Sequence, residues 1–197
     1  MKYSRLIKNQ KGFTVIEALI VIGLALAGLA LVLSNSTKAG NKSNIKDAVT
    51  TASNMVTVVH DNLASSGSFN ALTAAVVNGL AVVDAPYTFD GTNIRDPYGN
   101  VVTFVGNAAA AGTAPSFVKT FGGATNPISS ADCSTFAKGM VSKADIVRIG
   151  AAASMTTTNG LAGGGSVYKA NAGATPDITA LTTGCAATNP MIVMQFH

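Results

Sequence analysis

The chain has no tryptophan, one glutamate (Glu17) and two histidines, and only 11% of its 197 residues are charged. A typical globular protein carries about a quarter charged residues. Two histidines, one glutamate and no cysteine pair at ligand spacing argue against metal-dependent or acid–base catalysis. No phosphate-binding loop or dinucleotide fingerprint occurs, and Gly163-Gly164-Gly165 lacks the lysine and the strand–helix setting that such a loop needs. Serines are common, but no Gly-x-Ser-x-Gly elbow is present. Asp90, Asp96 and Asp177 are scattered and read as turn residues rather than as calcium ligands. His60 has no second ligand at metal spacing and reads as the flank of a helix. The sequence therefore calls for no cofactor, no metal and no enzymatic site.

Basic residues are unevenly spread. Lys2, Arg5, Lys8 and Lys11 crowd the first twelve positions, and the remaining nine basic residues balance the nine acidic ones. The pI of about 9.2 is therefore a property of the leader and implies no nucleic-acid site, which would need basic residues clustered on a folded face. A surface poor in charge and rich in small residues suits a protein packed against copies of itself.

Proline is absent from residues 1–85. The apolar run from Phe13 to Leu33 would be about 31 Å long as a helix at roughly 1.5 Å per residue, enough for a bilayer core. It is too long for the apolar region of a cleaved secretory signal, and no small-residue cut site follows it. The basic leader places the N-terminus in the cytoplasm and the rest outside. Glu17 lies about one turn inside this span. A carboxylate there costs roughly 2.5–3.5 kcal/mol or more, and such residues are functional by default.

The helix can continue beyond the membrane. Ile45, Val49, Ala52, Val56, Val59 and Leu63 recur on one face, while Asn44, Asp47, Thr50, Asn54 and Asp61 fall elsewhere. This amphipathic stretch should stop near Ser65-Ser66-Gly67, with Gly23, Gly28 and Gly40 as soft points further back. A short helix over 68–79, capped by Ser68, should follow, then an irregular region from Pro86 with a turn at 96–100. Strands are expected at 101–105, 116–121, 145–149, 167–169 and 191–196. Helices are expected after Ser129 or Ser130 and from Asp177. Residues 151–166 should form an exposed, mobile loop, with the triple glycine too flexible for a core. Helix first, then an antiparallel sheet with inserted helices, is an α+β order. Cys133 and Cys185 are an even pair beyond an export segment, which points to one disulfide in an oxidising compartment or else to two buried thiols.

Lys11-Gly12-Phe13-Thr14-Val15-Ile16-Glu17, followed by the apolar run, resembles the class III signal of type IV prepilins. The resemblance implies cleavage by prepilin peptidase between Gly12 and Phe13, N-methylation of Phe13, and retention of the apolar helix. Asp132-Cys133-Ser134-Thr135-Phe136 and the stretch from Gly184-Cys185-Ala186 to Pro190-Met191-Ile192-Val193 resemble type IVb pilins such as toxin-coregulated and conjugative thin-pilus pilins. That likeness implies a Cys133–Cys185 disulfide bounding a large C-terminal region. Ser34 stands where type IVa pilins commonly have a kinking proline, whereas the short leader and Phe13 are more usual in type IVa.

The implied organisation is a leader at 1–12, a transmembrane and filament-core helix at 13–34, the amphipathic half of that helix at 35–66, and an α+β head at 67–197 with the disulfide-bounded region 133–185. The implied function is a subunit, in the first instance a major pilin, that polymerises with copies of itself into a helical filament for adhesion, aggregation or DNA transfer. Its partners would be prepilin peptidase and the inner-membrane pilus assembly machinery. It would sit in the inner membrane with a periplasmic head, then on the cell surface. A type II secretion pseudopilin, a minor pilin and a monomeric membrane-anchored binding protein are the competing readings. The loops at 86–115 and 151–175 are the expected partner-contacting surface.

Overall fold

A computed structural model of the chain describes residues 44–108, 114–158 and 161–197. The expectations for Gly12, Phe13, Glu17, the apolar span and the first part of the amphipathic half lie outside the described residues. Among the described residues no helix is long and apolar enough to cross a membrane.

Within the described chain, helix α1 covers residues 44–63. Ile45, Ala48, Ala52, Met55, Val56 and Val59 are buried, at the three- and four-residue spacing that gives a helix one apolar face. Asn44, Asp47, Thr50, Asn54 and Asp61 are exposed. A 3-10 turn, Ala64–Ser66, tightens the end, and Gly67 at φ 67° turns its N–H back to the Ala64 carbonyl. Only glycine takes that left-handed position at no steric cost, so the helix stops where the sequence says it should.

The next helix is shorter than its pattern suggests. α2 is Ala74–Gly79, capped by Thr73, whose hydroxyl accepts the Val76 N–H. Ser68 is no helix cap: its hydroxyl accepts from the Asn70 N–H two residues on. The Phe69 N–H instead donates to the Asn107 carbonyl, which ties this stretch to the main sheet. The Phe69 ring is buried, 4.9 Å from that of Phe117. Burial of that ring outweighs the local helix signal.

The region after Pro86 is more regular than expected. β1 (Thr88–Phe89), β2 (Ile94–Arg95) and β3 (Val101–Val102) make a three-stranded antiparallel sheet. Strands of two residues are too short to show alternation. The run expected as one strand over 101–105 splits at Thr103, where the chain passes from this sheet into β4 (Phe104–Gly106). The Thr103 N–H donates to Thr120 Oγ1 at 2.8 Å, so the crossing leaves no unpaired donor there.

The main sheet runs β4-β5-β8-β6-β7, all antiparallel, with β5 at Phe117–Gly122, β6 at Ile146–Ala151, β7 at Ser166–Lys169 and β8 at Pro190–Phe196. Helices α3 (Ser130–Met140) and α4 (Ile178–Cys185) are inserted between strands. The closing strand lies at the centre of the sheet. Phe117 and Phe121 of β5, Ile192, Met194 and Phe196 of β8, and Val147 and Ile149 of β6 share one core with the apolar face of α1 and with Cys133, Phe136, Ala137 and Met140 of α3.

All six residues of β5 are buried, which requires cover on both faces of the sheet. The segment expected as a mobile loop supplies the second cover. Met155 packs with Val118 and Val193, with Ala162 and Met191 against them. Gly164 and Gly165 have φ 76° and 58°. A Cβ on Gly165 would stand 2.6 Å from the Ile149 carbonyl oxygen. The glycine run is therefore a close-approach device: Gly165 lets the backbone lie against β6, and Gly163 and Gly164 let it lie against Thr156 and Ser154, the other use to which glycine is put.

Candidate functional site

The disulfide is built by two capped helices. Ser129 accepts the Asp132 N–H at 3.1 Å and donates to Asp132 Oδ2 at 2.7 Å, which starts α3 and places Cys133 in its first turn. Asp177 accepts the Thr179 and Ala180 N–H groups and starts α4, which ends at Cys185. Cys133 and Cys185 are bonded, with their Cα atoms 5.7 Å apart and both side chains buried. The bond joins two helices and encloses β6 and β7.

The three aspartates weighed as calcium ligands do other work. Asp90 accepts from Thr92 and Asn93 N–H and pairs with Arg95 Nε at 2.8 Å. Those two backbone donors, with Arg95, hold its carboxyl below the usual range. Asp96 is 3% exposed. Its Oδ1 accepts from the Tyr98 and Asn100 N–H groups, and its Oδ2 accepts the Gly122 N–H, each at 2.9 Å. A buried carboxylate with that many donors is a structural knot between the small sheet and β5. Asp177 is the cap of α4. Among the described residues no three His, Cys, Asp or Glu side chains stand together so as to hold a metal ion.

Among the described residues two lysines are buried, Lys119 and Lys169, and neither is among the candidates that the sequence singles out. Lys119 is 0% exposed. It lies over the rings of Tyr87, Phe104 and Phe136 at 4.8, 5.9 and 5.6 Å from their centres. Burial pulls its ammonium down to about 7, partly offset by the charge of Asp96. Its signal was the strand period: Lys119 alternates with Phe117 and Phe121 and must share their inward face. Lys169 donates to the Val141 and Ala144 carbonyls at 2.9 and 2.7 Å, a cation closing the C-terminal end of α3.

Both histidines of the chain line one open cavity of about 250 Å³ between α1 and the end of β8. His60 is an exposed helix flank, Nδ1 3.5 Å from Asp61 Oδ1. His197 Nδ1 stands 3.0 Å from Asp145 Oδ2.

No protein-family model matches the chain. No curated protein matches it either. The architecture, a helix packed along an antiparallel sheet with helices inserted between its strands, is the type IV pilin fold of the α+β class. Among solved structures the chain is similar to TcpA, a type IV pilin from Vibrio cholerae El Tor biotype. The match spans 79% of this chain and 99% of that one, with a TM-score of 0.52 and 18% identity.

Proposed function

We propose that the chain is the structural subunit, and the major one, of a bacterial type IV pilus. The observation that carries this reading is a conjunction: a head with the type IV pilin fold stands behind Gly12-Phe13 and Glu17, set at the start of a membrane-length apolar run. Cleavage after Gly12 by prepilin peptidase creates an amine at Phe13, which is then methylated. In a helix, residues 13 and 17 are one turn apart. The amine of an incoming subunit pairs with Glu17 of its neighbour, which requires an axial offset of about one turn between adjacent helices. Buried ion pairs are weak stabilisers but good register devices. The apolar helix holds the subunit in the inner membrane until the assembly machinery draws it into the filament, and the head then forms the outer surface on the cell exterior. The role is structural rather than catalytic.

N-terminal sequencing and mass spectrometry of the exported protein test the processing step. A mature start at methylated Phe13 is expected; a start at Met1, or after Ser36, ends the reading. Glu17→Ala should be inserted and processed yet give no filaments in electron microscopy of sheared surface material. Filaments of normal number and length from that variant would remove Glu17 from the mechanism. Short periplasmic pistons in place of long surface fibres would move the chain to a secretion pseudopilin.

A further inference from the structure

The methionines are unevenly protected. Met55, Met140 and Met194 are 0% exposed and belong to the main core. Met155 is 8% exposed and Met191 is partly buried, and both belong to the small cluster on the back of the sheet. Met191 pairs with Gly122 of β5 on one side and with Gly150 of β6 on the other. Neither neighbour has a side chain to shield it. Met155 is seated between glycines as well. A Cβ at Gly165 would stand 2.6 Å from its Sδ, and one at Gly150 would stand 3.2 Å away. The thioether fits this slot because both positions lack a Cβ, and a slot so close leaves no room for a further atom on that side.

A thioether sulfur is open to oxidation. A hydroperoxide transfers one oxygen atom to Sδ: the O–O bond breaks, an S–O bond forms, the sulfur gives up two electrons, and the peroxide leaves as water or an alcohol. The product is larger and polar. At the more open Met191 the added oxygen can turn to solvent. At Met155 it has no good place. Turned toward Gly150 and Gly165, it meets backbone. Turned away, it lies among Val118, Val193, Ala162 and Met191, whose side chains carry no hydrogen-bond donor. In the thioether form the segment stays seated: Arg148 donates to the Gly164 carbonyl at 3.1 Å, and the Ala162 N–H donates to Gln195 Oε1 at 3.0 Å. The Thr156–Gly163 pair lies within the segment and moves with it.

We propose that Met155 is an oxidant-sensitive modification site, and that its sulfoxide lifts the 161–165 backbone off β6. Met191 takes up oxidant first and without that consequence. Met55, Met140 and Met194 stay reduced, shielded by the main core. The reagent that fits is a small hydroperoxide, because a sulfur in so narrow a slot admits a small molecule and not a protein surface. The head alone supplies this site, so it does not depend on assembly into a filament.

The test is treatment of the full-length chain in detergent with hydrogen peroxide, followed by peptide mass spectrometry and by hydrogen exchange of residues 161–165. Oxidation should proceed in the order Met191, Met155, and only then Met55, Met140 and Met194. As Met155 sulfoxide accumulates, protection of 161–165 should fall roughly tenfold, the scale of an overpacked contact. Met191→Leu should respond as the wild type does. Met155→Leu, treated identically, should keep the protection it has before treatment. Oxidation of Met155 no faster than that of Met194, full protection in a sample carrying Met155 sulfoxide, or a Met155→Leu variant that loses protection in peroxide would each overturn the proposal.

Discussion

Lys119 Nζ stands 3.4 Å from the hydroxyl of Tyr87 and makes no ion pair with a carboxylate among the described residues. The arrangement makes stability depend on alkaline pH. Burial pulls Lys119 down to about 7, whereas an unfolded lysine keeps its proton to about 10.4. Between those values the unfolded chain binds more protons, so stability rises with pH, by on the order of 4 kcal/mol in all. Tyr87 sets the upper limit. Burial, with Asp96 nearby, pushes its hydroxyl well above the usual value, and stability is lost once the unfolded tyrosine ionises above about pH 10. Urea midpoints should thus climb from pH 7 to a maximum at about pH 9–10. Lys119→Met should flatten the climb and be the more stable protein at pH 7. A wild-type midpoint that stays level over that range contradicts the account.

Asp96→Ala should be severe. It leaves the Tyr98, Asn100 and Gly122 N–H groups without their acceptor in a buried place. Each such loss costs about 1–3 kcal/mol. A total of about 4 kcal/mol is expected in chemical denaturation. Asp96→Asn keeps one oxygen and should lose about half as much. Equal losses for the two variants would mean that charge, rather than the number of accepting atoms, matters at this position.

The elements that could be read from the chain are those set by local chemistry. The end of α1 at Gly67, the cap of α3 at Ser129, the cap of α4 at Asp177 and the closing strand at 190–196 each follow from residues within a turn of the feature. What could not be read depends on distant partners. Ser68 and Thr73 are both good caps, and the choice is made by Phe69 reaching Phe117. The small sheet escapes notice because its strands are two residues long. The glycines at 163–165 look like a flexible linker until β6 is placed beneath Gly165 and the 154–156 segment beside Gly163 and Gly164. The residues expected to drive assembly, Gly12, Phe13 and Glu17, lie outside the described residues.

Loss of the disulfide should be felt across the head. The bond closes a loop with a sequence separation of 52. The chain-entropy model puts its contribution at about 4 kcal/mol. Cys133→Ser with Cys185→Ser should therefore lower the melting temperature by roughly 8–16 °C. Thermal scans of the wild type with and without a reductant that reaches the bond should give the same shift. A shift of a degree or two would mean that the sheet and α1 carry the fold without the covalent link.

Two glycines test how closely the helices must approach, and by different obstacles. A Cβ on Gly139 of α3 would stand 2.6 Å from Val49 Cγ1 of α1. A Cβ on Gly184 of α4 would stand 2.7 Å from the Ile149 carbonyl oxygen of β6. Each alanine should cost about 1–3 kcal/mol by overpacking. The first obstacle is a side chain and can be removed. Val49→Ala should restore most of what Gly139→Ala loses, giving a coupling of about 1 kcal/mol or more in a double-mutant cycle. The second obstacle is the Ile149 carbonyl oxygen together with the Ile149 Cβ, also at 2.7 Å, and alanine keeps both, so Ile149→Ala should not rescue Gly184→Ala and should add a cavity cost of its own. Rescue at Gly184, or additivity at Gly139, would mean that the helices shift to accept the methyl group, and that the tight contact with α1 is not what positions α3.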